Sequence, residues 1–280
     1  MSEISENPQP TYDKKQIAEA FRVDPEKTAR PEVRTVGQHS AIGEYHIRLQ
    51  DDDQGDQTMT SILETADVVI VEFDSQSSGY EHATEHKRFM SMAQDAGQDK
   101  QLIIMDAVRP SGIETWKKAG INIEPDDYKA LVALDCAQHP VMGMIANPNK
   151  TEIDQDQITN DIADRIIKKV PDIDETLAHR LAEGAKRTIM LSSSLGGGEI
   201  FKLIDKYLRV DSFAREVNYQ QIIADEVKKA DQKRVVAVVG MSHLKAAEEA
   251  LSGQFGSRKV KDEVLGQFDK AYDMVTMFVS

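Results

Sequence analysis

The sequence predicts an α/β protein: a mixed central sheet flanked by helices, with a helical insertion. Three observations carry that prediction. Short β-branched runs, Val68–Val71 and Val235–Val239, are bounded by polar segments, as buried strands are. Ile153, Ile158, Ile162 and Ile166 recur at helical spacing, and the chain stays mostly helical from Thr151 to Lys229. Strands at both ends of the sequence with helices between them fit a layered α/β domain.

Taken in order, residues 1–33 read as an N-terminal tail with one short helix, Tyr12–Val23, ended by Asp24-Pro25. A single α/β domain is expected over 34–280, with its helical insertion at about 150–212. Gly37-Gln38-His39-Ser40 interrupts the run before Gly43, so no clean strand is predicted there. Asp51–Asp56 is expected to be a solvated acidic turn. It is not an EF-hand loop, because the fifth position is Gly55 and not an acid. Met59–Thr65 reads as helix, and Ala66–Glu72 as a buried strand ending in an acid. Glu81–Ala96 is a helix and Gln101–Met105 a second buried strand. Leu131–Cys136 fits either helix or strand. After Pro171, Ile173, Leu177 and Leu181 open another helix. Ser192–Gly198 interrupts the pattern, and two helices follow, Glu199–Leu208 and Phe213–Lys229. Arg234–Gly240 is the clearest strand, Lys245–Leu251 a helix, and Asp273–Val279 a closing strand.

The 280 residues carry 34 basic and 48 acidic side chains, a formal charge of −14. Such a chain repels phosphate backbones and anionic bilayers, so neither a nucleic acid nor a membrane is expected as a partner. Hydrophobic residues at 40% and charged residues at 29% suit a soluble globular protein with a true core. The lone Cys136 excludes a disulfide framework and fits a reducing compartment. The N-terminus has no basic segment followed by an apolar one, so no secretory signal is read there. A membrane-spanning helix needs about 20 apolar residues, far more than any run here contains. The expected location is the cytoplasm.

Two segments share the pattern Gly-x-x-His: Gly43-Glu44-Tyr45-His46 and Gly240-Met241-Ser242-His243. The second follows a buried strand, so His243 falls just past a strand end, where open α/β sheets place their ligands. Glu72 stands at the end of its own strand. Imidazoles from His46 and His243 with the Glu72 carboxylate would make a divalent-metal site with open positions for water.

The order of these features resembles the Tiki/TraB family, part of a broader group that includes ChaN-like and erythromycin-esterase-like proteins. Ala66–Asp74 is similar to the family's strand ending in Glu-Leu-Asp, here Glu72-Phe73-Asp74. The stretch from Lys206 through Arg215-Glu216-Val217-Asn218 to His243 resembles its C-terminal half, in which an Arg-Asn helix precedes the second Gly-x-x-His. The resemblance implies a metal-dependent, metalloprotease-like hydrolase acting on a peptide or small-molecule ester or amide. It implies His46, Glu72 and His243 as metal groups, with zinc, manganese or cobalt as the ion. Arg215 and Asn218 would be polar supports near the reacting carbonyl. Either Glu72 or Glu44 could serve as general base. The resemblance also implies an alternative, a non-catalytic ligand-binding protein that holds haem or a metal on the same scaffold, since ChaN-like proteins carry a Gly-Glu-x-His motif.

Rival sites are weaker. His82-Ala83-Thr84-Glu85-His86 matches the inverted zincin pattern, with both histidines on one helix face, but its setting of Glu81, Lys87 and Arg88 suits a solvated surface. Gly196-Gly197-Gly198 precedes a helix without the Lys-Ser/Thr ending of a phosphate loop and reads as a connection. Cys136 with His139 could pair a nucleophile and a base, although an apolar setting points to an inert core cysteine.

Overall fold

The computed structural model describes residues 31–44, 53–73, 84–108, 110, 112–146, 155–196, 198–254 and 262–277; at 84–86, 262 and 263 it describes the backbone alone. The expected helix Tyr12–Val23 lies outside these residues. The described strands are β1 (Glu32–Val36), β2 (His39–Glu44), β3 (Val68–Val71), β4 (Gln101–Ile104) and β5 (Val235–Gly240). The first three helices are α1 (Asp53–Glu64), α2 (Thr84–Ala96) and α3 (Met105–Val108). Then come α4 (Ile113–Lys118), α5 (Pro125–Ala146), α6 (Gln155–Lys169), α7 (Glu175–Ser194) and α8 (Glu199–Ala230). The helices α9 (Leu244–Leu251), α10 (Asp262–Leu265) and α11 (Ala271–Thr276) follow β5. The chain divides into a sheet unit, 1–109 with 216–256, and a helical unit, 110–215 with 257–280. The helical unit therefore spans more of the chain than the expected 150–212, and the division falls inside α8.

In the sheet unit the strand order is β1-β2-β5-β3-β4. β1 pairs antiparallel with β2, and β2, β5, β3 and β4 run parallel, so the sheet is mixed. All residues of β3 and β5 are buried. A parallel sheet covered on both faces demands this, and it is why those strands read as unbroken Val/Ile runs. On one face Ala41, Ile70, Ala237 and Val239 pack with Tyr219 and Ile223 of α8 and with Leu244, Ala247 and Leu251 of α9. On the other, Ile42, Val69, Val71, Val236 and Val238 meet Met59 and Leu63 of α1 and Phe89, Met90 and Ala93 of α2.

Gly37-Gln38-His39-Ser40 does not prevent a strand from forming before Gly43. Gly37 and Gln38 form a two-residue loop between Val36 and His39, which face each other in the ladder. Gly37 has φ 58°, which glycine adopts without steric cost, and β2 then begins at His39. The acidic run is not a turn from Asp53 onward. Asp53 and Asp56 lie in the first turn of α1, where the helix dipole favours carboxylates. Arg88 clamps Asp56 with two bonds of 2.7 and 2.8 Å.

The helical unit is built around Trp116, Leu131, Ile162, Ile166, Leu181, Ile189 and Phe268. Leu131–Cys136 is helical, inside the 22-residue α5, which opens on Pro125 at a position where proline's missing N–H costs nothing. The two helices expected over 199–229 are one continuous helix of 32 residues. No glycine or proline interrupts Arg209–Ser212, Val210 is buried, and Asp211 accepts a 2.8 Å hydrogen bond from Trp116 Nε1. The closing strand is also corrected. Ala271–Thr276 is a helix, and its buried residues Ala271 and Val275, four apart, follow the helical period that Phe268 begins.

Candidate functional site

The four parallel strands end along one edge of the sheet, and each delivers a polar residue there. β2 ends at Glu44, in register with Gly240 at the end of β5. β3 leads to Glu72, β4 leads to Asp106, and β5 passes through a short 3₁₀ turn, Met241–His243, to His243. The backbone knits these ends together. Glu72 N–H donates to Val238 O at 3.2 Å, and Asp106 N–H donates to Glu72 O at 2.9 Å.

Glu72 is buried, at 5% exposure, with its carboxylate between Gly240 and His243. Oε2 accepts a 2.9 Å hydrogen bond from Gly240 N–H, and Oε1 lies 3.8 Å from His243 Nε2. The imidazole of His243 is largely enclosed. Its Nδ1 is buried and has no hydrogen-bond partner among the described residues. The ring packs against Tyr219 of α8, centroids 5.6 Å apart and planes at 87°. Tyr219 O–H donates to Asp106 Oδ1 at 2.5 Å.

Of the residues singled out from sequence, Glu72 and His243 therefore come together. His46 lies outside the described residues, as do His82, Tyr45, Asp74 and the side chains of Glu85 and His86. Glu44 is fully buried beside Gly240. Alternation along the strands sends it towards the face occupied by Ile42, whereas Glu72 follows Val68 and Ile70 onto the opposite face. Asn218 is buried on α8 next to Tyr219, and Arg215 stands one turn earlier, where the chain passes into the helical unit. Among the described residues no group of three or more His, Cys, Asp or Glu side chains is placed to hold a metal ion; Glu72 and His243 supply two donors.

Sequence reading passed over Asp106 and Tyr219. Asp106 was within reach, because it follows the apolar run Leu102–Met105 just as Glu72 follows Val68–Val71. Tyr219 had no such signal, since its role depends on a helix that arrives from far along the chain.

The rival thiol is inert. Cys136 is buried on α5, and burial pushes its thiol up to about 11, against the pull of nearby Lys169. The thiolate is the nucleophile, so Cys136 is unreactive near neutral pH. At the other end of the sheet, His39 Nδ1 accepts a 3.1 Å hydrogen bond from Val235 N–H, and burial lowers the pKa of the ring. That acceptor role requires neutral imidazole. Among the described residues, no helix is long and apolar enough to cross a membrane. Comparison of the chain with family models, with curated proteins and with solved structures gives no match.

Proposed function

We propose that the carboxyl edge of the sheet is the active centre of a metal-dependent hydrolase of peptide or ester bonds, with Glu72 and His243 at its heart. One observation carries the reading: two strand ends bring a buried carboxylate and an imidazole to 3.8 Å. That gap is less than twice a zinc–ligand bond of about 2.0–2.2 Å, so one ion can reach both Oε1 and Nε2. His46, on the first Gly-x-x-His segment, is the third group of the proposal. When bound, a divalent ion supplies a water of lowered pKa and polarises the scissile carbonyl.

The chain's own residues do the rest. Gly240 N–H holds Oε2 of Glu72, which leaves Oε1 aimed at His243. Glu72 is thereby fixed to bind the ion or to accept a proton from the attacking water. Glu44, directed to the other face, is the poorer candidate for base. Asn218, buried one residue before Tyr219, is the candidate support for the carbonyl oxygen.

The test is turnover. The chelator-treated chain is assayed on unstructured protein, on fluorogenic peptides and on nitrophenyl esters, with zinc, manganese or cobalt restored in turn. Hydrolysis should appear with at least one ion and fall by about 10²–10⁴-fold in Glu72→Gln, the range expected for loss of a general base. An equally active His243→Ala protein with an unchanged circular dichroism spectrum would overturn the assignment.

A further inference from the structure

A histidine side chain has a broad second torsion, so a ring that must present one nitrogen needs something to fix its plane. For His243 no hydrogen bond among the described residues does this. Nδ1 has no partner there, and Nε2 sits 3.8 Å from Glu72 Oε1, beyond hydrogen-bond distance.

The imidazole packs instead against Tyr219, whose ring meets it at 87°. Tyr219 is itself locked, being buried on α8 with its hydroxyl donated to Asp106 Oδ1. Asp106 is tied in turn by its N–H to Glu72 O at 2.9 Å. These contacts close a loop through Glu72, Asp106, Tyr219 and His243. A flip of the imidazole would turn Nε2 away from Glu72 Oε1.

We propose that Asp106 and Tyr219 are positioning residues that hold the His243 imidazole in one orientation towards Glu72. The proposal rests on His243 being the reactive histidine of the proposed centre. It adds the device that aims it. Neither residue needs to touch the substrate. The hydroxyl of Tyr219 and the carboxylate of Asp106 act through the ring.

The test uses the full chain, chelator-treated and labelled at histidine nitrogen, with the His243 signals identified by their loss in His243→Ala. In the wild-type protein the ring should give a single set of His243 signals by two-bond proton–nitrogen correlation. Tyr219→Phe keeps the packing and removes the hydroxyl; it should give doubled or exchange-broadened His243 signals, as should Asp106→Ala. Asp106→Asn retains an acceptor for the hydroxyl and should restore the single form, a rescue that a role in packing alone would not produce. Zinc affinity, measured by competition with a chromophoric chelator, should drop about tenfold in Tyr219→Phe, as for loss of an outer-shell partner. Unchanged His243 signals in both Tyr219→Phe and Asp106→Ala would overturn the proposal. If the His243 signals respond as stated while wild-type protein takes up no zinc, the positioning role stands and the metal centre fails. If zinc binds equally to all variants and the signals do not move, the metal centre stands and the positioning role fails.

Discussion

The carboxylate of Glu72 accepts a 2.9 Å hydrogen bond from the backbone N–H of Gly240, so the acid that follows β3 caps the neighbouring strand β5. The chain turns at that point into the segment carrying His243. One side chain thus satisfies a buried backbone donor and faces the imidazole three residues further on.

This double duty separates two substitutions. Glu72→Ala leaves Gly240 N–H buried without a partner and should cost about 1–3 kcal/mol. Glu72→Gln keeps an oxygen in place and should cost less than about 1 kcal/mol while removing the negative charge that faces His243. Urea unfolding midpoints of the two variants give the comparison. Equal stability would mean that the bond to Gly240 contributes nothing.

Gly184 tests the packing of the helical unit. Alanine is about 1 kcal/mol better than glycine within an exposed helix. At Gly184 of α7, however, a Cβ would stand 2.1 Å from Val275 O on α11. Backbone cannot rotate away as a side chain can, so Gly184→Ala should destabilise by about 1–3 kcal/mol. Gly143 of α5 has nothing within 4 Å of an added Cβ, and Gly143→Ala should be neutral or stabilising. Thermal melts with the signs reversed would contradict the arrangement of α7 and α11.

His39 sets a pH dependence at the amino end of the sheet. Burial holds its pKa below the ordinary 6.5, and its neutral Nδ1 receives Val235 N–H. The folded state therefore binds fewer protons than the unfolded one as pH falls below that value. This contribution is fully present above about pH 6.5 and is lost as pH drops through the folded pKa. The wild-type protein should lose stability from pH 7 to pH 5 more steeply than His39→Gln, as measured by denaturant midpoints across that range. Parallel curves would remove His39 from the account.

The strands that reach the site were legible because burial on both faces leaves no choice of residue: Val68–Val71 and Val235–Val239 are apolar throughout. Glu72 could be picked out as the polar residue where the first run stops, and His243 from the Gly-x-x-His segment that begins where the second run stops. The hairpin through Gly37-Gln38 was hidden because β1 is a half-exposed edge strand and its turn needs only a positive φ at Gly37. The closing helix was misread since Met274, Val275, Met277 and Phe278 look like a strand unless the period set by Phe268, Ala271 and Val275 is followed. Asp106 and Tyr219 meet through α8, a tertiary relationship across 113 positions that no local pattern encodes.

The most direct test of the centre is its metal content. The full chain is dialysed against zinc, manganese and cobalt in turn, freed of loose ions, and analysed by mass spectrometry beside His243→Ala and a His82→Ala/His86→Ala double variant. The wild-type protein should hold close to one equivalent of at least one ion, retained by the double variant and lost from His243→Ala. A wild-type protein that holds no stoichiometric ion, or a His243→Ala protein that holds as much as wild type, would contradict the metal centre.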